Sequence, residues 1–204
     1  MRVACLIGIL GVATMAIFGY AGSARDPTCP NTEIQFTFLN LDFHQGKPGD
    51  RPPGWNPAEP GCFLPPHGAY VAAIVSGASC YLGGQCGQLK SSRADTIDSR
   101  WGLFQLVDAK PYRGKRFILR AAVRADVRPG SDARLMLRVH RIDGSTSFFD
   151  NMGSFPFTSD KWGFYEIEAP IAQDARDMEF GLQLDGQGIA WIDDISVKFA
   201  DTPR

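Results

Sequence analysis

Histidine is the side chain best suited to proton transfer near neutral pH, and the sequence has three: His44, His67 and His140. A serine hydrolase needs such a base beside a nucleophile and a carboxylate that orients it. The sequence contains no G-x-S-x-G turn that would supply the nucleophile. His67 lies in a Pro-Pro-His-Gly turn and His140 closes a predicted strand, so turn or surface positions are expected for both. These residues predict no hydrolytic centre.

Two adjacent carboxylates, Asp193 and Asp194, lie in the last predicted strand. Glycosidases use two carboxyl groups that face each other across a bond, whereas neighbours on a strand point to opposite faces. One of the pair is therefore expected to brace a loop and the other to face solvent. Other carboxylates that only the fold could bring together are Asp42, Asp150, Glu166 and Asp185. The sequence predicts no enzyme.

A sugar-binding site needs flat apolar rings for the C–H faces of a pyranose and polar groups for its hydroxyls. The candidate rings lie in or beside predicted loops: Trp55, Tyr70, Tyr81 and Trp101. The candidate polar partners are Arg138, Asp150 and Asn151. Trp162 and Trp191 lie in strand patterns and are predicted to be core residues. Trp55 has the alternative role of pinning the Pro-rich loop around it.

The N-terminus has the layout of a secretory signal peptide. Arg2 precedes an almost wholly apolar stretch at 3–21, and small residues follow up to Ala24. Cleavage is expected after Ala24, with Ala21 as the other candidate. An uncleaved anchor is the alternative, since about 20 apolar residues can span a bilayer. We therefore predict a secreted or periplasmic protein with a signal peptide at 1–24, an extension at 25–32 and one domain at 33–200.

Four cysteines follow the signal peptide: Cys29, Cys62, Cys80 and Cys86. An even number in an oxidising compartment indicates two disulfides, and four cysteines allow three pairings. The short spacing of Cys80 and Cys86 favours a local clasp, and Cys29 would then pair with Cys62. The sequence has no C-x-x-C motif, so a zinc site is not predicted.

The charge balance is nearly neutral, with 21 basic and 22 acidic residues. Nucleic acids and membrane surfaces attract strongly basic proteins, so neither is an expected partner, and no membrane association is expected after signal cleavage. Basic residues do cluster in one region: Lys110, Arg113, Lys115, Arg116, Arg120 and Arg124. Because side chains alternate along a strand, a solvated face is expected there rather than a phosphate site.

Short apolar runs that alternate with polar residues, separated by Gly, Pro, Asp and Ser, predict antiparallel strands. The predicted strands are 33–38, 69–76, 102–107, 116–123, 134–139, 147–149, 164–169, 178–184 and 189–199. The segments 46–61 and 77–99 are predicted loops, and 172–177 could supply one helical turn at most. About eight or nine strands without intervening helices predict an all-β, antiparallel jelly-roll sandwich.

The chain resembles the galactose-binding-like jelly-roll domains, the sandwich shared by many carbohydrate-binding modules. The likeness rests on Asn40-Leu41-Asp42-Phe43-His44-Gln45-Gly46 with Pro52-Pro53-Gly54-Trp55, on Gly102-Leu103-Phe104-Gln105 with residues 111–116, and on Trp162-Gly163-Phe164-Tyr165-Glu166 with residues 189–197. Phe149-Asp150-Asn151-Met152 is similar to a bacterial subgroup that lacks an assigned activity. The resemblance implies the fold and leaves the function open, because such sandwiches serve unrelated tasks.

In many modules of this type an opening Glu and a closing Asp help to hold a structural calcium. Here His44 stands at the Glu position, and a histidine nitrogen is a poor ligand for a cation that prefers oxygen. Asp193 or Asp194, with backbone carbonyls, are the remaining candidate ligands, and no other cofactor is expected.

Three functions stay open at this point. The first is a non-catalytic module that binds a polysaccharide or cell-wall glycan, which requires exposed aromatic rings with polar neighbours. The second is a structural domain that binds another exported protein, which requires an exposed apolar patch. The third is a hydrolase, which requires a pocket where a histidine meets a carboxylate.

Overall fold

The computed structural model describes residues 34–58, 70–91 and 100–201. Within these ranges the chain forms ten strands and two short 3-10 turns. The strands are β1 (Asn56–Ala58), β2 (Tyr70–Ser76), β3 (Gln85–Ser91), β4 (Arg100–Asp108), β5 (Lys115–Val127), β6 (Asp132–Arg141), β7 (Thr146–Asp150), β8 (Gly163–Pro170), β9 (Ala175–Asp185) and β10 (Gly188–Asp201).

These strands form two five-stranded sheets that pack face to face. Sheet A has the order β1-β4-β9-β6-β7, and sheet B has the order β2-β3-β10-β5-β8. Every paired strand in both sheets is antiparallel. Neighbours such as β4 and β9 are far apart in the chain, as the crossing connections of a jelly roll require. The predicted all-β sandwich is confirmed.

The core lies between the sheets and follows from alternation with period two. In β5, Phe117 and Leu119 are fully buried, and half-buried arginines alternate with such residues. From sheet A, Leu135 of β6 and Phe180 and Leu182 of β9 point into the same space. Each such side chain contributes about 1.5–3 kcal/mol when it is fully buried. The alternation therefore fixes which side chains of each sheet remain on its outward side.

Strand β10 changes phase at a β-bulge between Asp193 and Ser196. Ile192 points into the core before the bulge and Ile195 does so after it, although the two are three positions apart. Asp194, inside the bulge, has a φ of 45°, in the left-handed region that a bulged residue often adopts. The bulge lies near the middle of β10, with residues paired to β5 on both sides of it.

Eight of the nine predicted strand segments correspond to strands of the structure. The exception is 33–38, whose described part contributes an isolated parallel bridge from Gln35 to Val107. Strands β1 and β3 lie in segments that were predicted as loops, and residues 172–177 lead into β9 rather than form a helical turn.

The signal peptide, the N-terminal extension up to residue 32, Cys29, Cys62 and His67 lie outside the described residues. None of the helices in the described part of the chain has the length and apolar character of a membrane span.

Candidate functional site

Three of the four aromatic candidates lie in the core. Trp55 is 1% exposed, its ring stacks on Phe43 at 5.1 Å, and its Nε1 donates to the Asn40 carbonyl at 3.0 Å. Tyr70 and Trp101 are also buried and stack on each other at 6.1 Å. Rings buried to this degree offer no face to a sugar, so the structure corrects their placement. The alternative for Trp55, which is to pin the Pro-rich loop, fits its contacts.

An apolar row crosses the outward side of sheet A. Phe104 of β4 and Met136 of β6 both pair in register with Gly181 of β9, and both are buried. Gly181 has a φ of 153°, and a Cβ there would overlap the Leu103 carbonyl oxygen. Glycine is therefore required where the two apolar side chains flank the β9 backbone.

Two polar rows flank this apolar row, and we call them the ionic face: Asp132, Arg134, Gln183 and Asp185 on one side, Arg138 and Glu179 on the other. Arg134 donates two hydrogen bonds to Asp132, of 2.7 and 2.9 Å, and its Nη2 lies 3.5 Å from Asp185 Oδ2. These hydrogen bonds raise the pKa of Arg134 against the effect of burial. Arg138 Nη1 lies 3.5 Å from Glu179 Oε2.

The charged side chains of the ionic face are unusually shielded, with only 15–18% of each exposed. Charged groups on an ordinary solvated sheet face are mostly exposed. Shielded ion pairs hold their hydrogen-bonding groups in fixed directions, which exposed pairs do not. The ionic face is therefore a set of preoriented donors and acceptors.

Gln183 leaves one hydrogen-bonding group of this face unsatisfied. Its side chain is fully buried, and its Nε2 donates to Asp185 Oδ1 at 2.6 Å. Its Oε1 is buried and accepts no hydrogen bond. A buried acceptor without a donor costs about 1–3 kcal/mol, so it marks a place where a hydroxyl or a water is needed.

The three polar candidates of the sequence lie at the β7 edge of this face. Arg138 pairs in register with Phe149, whose exposed ring lies 4.8 Å from the Arg138 guanidinium carbon. Asp150 ends β7, and its Oδ1 accepts from the Met152 backbone N–H at 2.7 Å. Asn151 follows directly and is half-buried. The structure thus brings these three residues to one edge of the ionic face, whereas the sequence offered them as polar partners of the loop aromatics. Their binding role stays a prediction.

His140 meets a carboxylate at the far end of β6. Its Nδ1 lies 2.5 Å from Asp177 Oδ1, and Arg176 Nε donates to Asp177 Oδ2 at 2.6 Å. Burial opposes ionisation of Asp177, but the hydrogen bonds from His140 and Arg176 lower its pKa overall. His140 is buried, not at the surface as expected. Within the described ranges its ring has no hydrogen bond to a serine, threonine or cysteine.

The fourth aromatic candidate lies on the outward side of sheet B, in a group that we call the arginine–aromatic face: Tyr81, Arg120, Arg124, Trp162, Phe164 and Trp191. Tyr81 is 37% exposed, and its ring meets the ring of Phe164 edge-on at 5.1 Å. Trp191 is buried as predicted, but it packs against the Cys80 and Cys86 side chains outside the sandwich core.

A cleft of about 630 Å³ opens where the β10 bulge meets residues 38–45 and 82–85. Asp193, which lines it, accepts the backbone N–H groups of Tyr81 at 2.9 Å and of Asp194 at 2.8 Å. Burial raises the pKa of Asp193. Asp194 is exposed. One carboxylate therefore braces a loop and the other faces solvent, as expected from the sequence.

Asp193 and Asp194, the predicted calcium ligands, both line this cleft, and calcium binding there stays a prediction. Calcium takes about six to eight oxygen ligands. Both carboxylate oxygens of Asp193 already accept N–H groups. His44, which stands at the position of the family's opening Glu, has its Nδ1 3.1 Å from Asp42 Oδ2.

Cys80 and Cys86 form a disulfide with Cα atoms 5.5 Å apart, which confirms the predicted local clasp. Their sulfurs lie within 4.8 Å of an Asp193 carboxylate oxygen. Zinc and similar ions bind thiolates, and disulfide sulfurs are not thiolates. The oxidised chain therefore has no metal site at this cluster.

No family model matches the chain. One curated relative, the "Uncharacterized HTH-type transcriptional regulator YbfP" of Bacillus subtilis, is 29% identical over 124 residues. The match covers 59% of this chain and 41% of that protein, so the chain spans about two fifths of the relative.

Several solved structures share the architecture. The CBM22-1 xylan-binding domain of Paenibacillus barcinonensis Xyn10C has a TM-score of 0.54 and 14% identity, covering 80% of this chain and 94% of that one. The C-terminal family 22 carbohydrate-binding module of Clostridium thermocellum Xyn10B has a TM-score of 0.51 and 16% identity, covering 74% and 89%. The chain has the jelly-roll fold of carbohydrate-binding modules.

This carbohydrate-binding-module fold confirms the resemblance seen in the sequence. The same fold also occurs in the enzymatically active domain of bacteriophage CBA120 tailspike protein 4, with a TM-score of 0.51, 12% identity and coverage of 72% of this chain and 19% of that one. The fold by itself therefore does not decide an activity.

The sequence interpretation missed Asp132, Arg134, Glu179 and Gln183 of the ionic face, and it named Asp185 only among carboxylates that the fold could bring together. A signal was present, because polar residues alternate with apolar ones through residues 177–185. That alternation shows which side chains of β9 share one face. It does not show that β6, whose arginines pair with them, lies beside β9.

Proposed function

We propose that this protein is an exported, non-catalytic carbohydrate-binding module whose binding site is the ionic face. The observation that carries the proposal is the row of ion pairs on the outward side of sheet A, Arg134 with Asp132 and Asp185 and Arg138 with Glu179, whose side chains are shielded but still reach the surface. Sugar hydroxyls both donate and accept, so they satisfy such a row without requiring a net charge.

Binding would use the face as a preoriented template. Arg134 and Arg138 donate to hydroxyl oxygens, Glu179 and Asp185 accept from hydroxyl hydrogens, and the ion pairs between them limit the entropy lost on binding. The exposed ring of Phe149 supplies apolar surface at the β7 edge. Because the arginines are balanced by carboxylates, the expected ligand is a neutral polysaccharide or cell-wall glycan.

The fold supports this proposal, since the CBM22-1 domain named above is described as xylan-binding. The signal-like N-terminus supports export to the periplasm or the medium, where such glycans occur. A periplasmic or surface domain that binds another exported protein is the alternative.

The test is a glycan array on the purified protein, followed by calorimetry with the oligosaccharide that binds. Arg138→Gln combined with Glu179→Gln should weaken binding at least about tenfold, because two amides replace the ion pair that fixes the direction of these donors and acceptors, and no unpaired charge remains. Arg141→Gln is the matched control, since Arg141 ends the same strand and pairs with Asp174 away from this face. If both variants bind the glycan equally well, the ionic face is not the binding site. If no glycan on the array binds, a domain that binds another exported protein is favoured.

A further inference from the structure

Two arginines on sheet B have aromatic rings where the arginines of sheet A have carboxylates. The Arg120 guanidinium carbon lies 3.5 Å from the centre of the Phe164 ring, and that of Arg124 lies 3.9 Å from the centre of Trp191. Among the described residues neither arginine has a carboxylate oxygen within 4.0 Å. Glu166 lies directly opposite Arg120 in register, yet the guanidinium covers Phe164 instead.

Stacking leaves the in-plane N–H groups of a guanidinium free. Those N–H groups match a carboxylate with two parallel hydrogen bonds, a geometry that a ring beneath the guanidinium holds in place. Arg116, on the same side of β5, contrasts with them because it pairs with Glu168. Arg120 and Arg124 are thus two ready anion-binding groups.

A buried donor at the same place also lacks an acceptor. Trp191 is 6% exposed, and its indole Nε1 has no hydrogen-bond partner. Arg124 Nε, above the Trp191 ring, is likewise buried and unpaired. Unpaired buried donors are uncommon in folded proteins and indicate a missing acceptor. This observation is independent of the stacking and points to the same ligand chemistry.

Exposed aromatic surface lies between the two arginines. Phe164 pairs in register with Ala122, midway between Arg120 and Arg124, and Tyr81 rests edge-on against Phe164. Tyr81 and Phe164 are 37% and 38% exposed. The Cα atoms of the two arginines are about 13 Å apart, at about 3.3 Å per residue, so one ligand that reaches both must be an oligomer.

We propose that the arginine–aromatic face is a second ligand site, which binds an acidic polysaccharide through the carboxylates of its uronic acid units. The arginines bind the carboxylates, and the Tyr81 and Phe164 rings contact the apolar faces of the sugars between them. A nucleic acid is disfavoured, because two free arginines on a chain of net charge −1 give too little phosphate neutralisation. The site is separate from the ionic face and does not depend on it.

The test is calorimetric titration of the purified protein with an α-1,4-linked galacturonate tetrasaccharide, with its methyl ester as the neutral control. The acid form should bind, the ester should bind at least about tenfold more weakly, and added salt should weaken the acid form. The indole N–H signal of Trp191, assigned with Trp191→Phe, should shift in the nitrogen–proton NMR spectrum. No binding of the acid form, or equal binding of acid and ester, overturns the proposal.

Variants then place the site. Arg120→Gln with Arg124→Gln should weaken tetragalacturonate binding at least about tenfold, whereas Arg116→Gln should leave it unchanged. If Arg124→Gln disturbs folding, Arg120→Gln alone should still reduce affinity, with folding checked by the melting temperature. Loss of uronate binding in the ionic-face variant, with Arg120→Gln unaffected, would assign the ligand to the ionic face and overturn this proposal. Failure of neutral glycans to bind at all would reject the proposed function but not this site.

Discussion

The two outward faces of this sandwich handle arginine in opposite ways. On sheet A, Arg134 and Arg138 pair with carboxylates, and the group left unsatisfied is an acceptor on Gln183. On sheet B, Arg124 lies over an aromatic ring, and an unsatisfied group is the donor on Trp191. A balanced face favours neutral hydroxyl groups, and an unbalanced cationic face favours anions. One fold can thus present two binding chemistries back to back.

The largest expected effect is on stability, and it compares a buried ion pair with an exposed one on sheet A. Asp177→Ala should lower the free energy of unfolding by about 3–5 kcal/mol, because it leaves His140 and Arg176 without the carboxylate between them. Asp174→Ala removes the exposed partner of Arg141 and should change the urea midpoint little. Urea unfolding measures both, and equal losses would show that the Asp177 pair adds nothing beyond a surface contact.

The next effect compares the two kinds of arginine directly. Arg134→Ala leaves Asp132 and Asp185 unbalanced and should cost about 2–3 kcal/mol. Arg124→Ala removes a stacked cation without leaving an unpaired charge and should cost only about 1–2 kcal/mol. Thermal or urea unfolding measures how much stability each variant loses. A larger loss for Arg124→Ala than for Arg134→Ala would contradict the view that the sheet A arginines are balanced by charge and the sheet B arginines are not.

Loss of the Cys80–Cys86 disulfide acts on sheet B. The clasp closes a short loop, so its loss should lower stability by about 2 kcal/mol. Cys80 and Cys86 pack against Trp191, so tryptophan fluorescence should change as well. The matched variant is Cys80→Ser with Cys86→Ser. An unchanged melting temperature on reduction would show that the clasp does not constrain this face.

The smallest effects are those of pH. Hydrogen bonds lower the folded pKa of Asp177 below its unfolded value of about 3.9, so its contribution is complete above that value and lost as pH falls through the folded pKa. Burial raises the pKa of Asp193, so its charge is a penalty that is relieved on acidification. In the Asp177→Asn variant, the free energy of unfolding should fall less between neutral and acidic pH than in the unchanged protein. In the Asp193→Asn variant, it should fall more. Urea midpoints between about pH 3 and pH 7 test both signs.

The strands with clean alternation could be predicted from the sequence, and those without it could not. In β5 every second residue from Phe117 to Ala125 is apolar and buried, which is a local signal. In β3, Leu89 is the one large side chain that enters the core, and the Phe43 ring packs over Gly87. That contact joins residues far apart in the chain, so the pattern of β3 alone is that of a polar loop.

The candidate site was harder for the same reason. Trp55 lies in a Pro-rich loop, and what buries it is a turn in which Asn40 accepts from Gln45 and donates to Pro53. The ionic face depends on the register of β6 against β9, which places Arg138 beside Glu179. Side-chain types could single out Arg138, Asp150 and Asn151 as polar candidates, but strand pairing decides which residues lie beside them.

The bulge in β10 acts as a frame shift in the alternation of this strand. In residues 188–193 the even-numbered side chains, such as that of Ile192, point into the core. From residue 195 onward the odd-numbered side chains, such as that of Ile195, do so. Deleting Asp194 would leave both halves in phase with the core. Deleting a residue inside either half, away from residues 193 and 194, would turn the apolar side chains of part of that half toward solvent, so a change of length is tolerated best at the bulge.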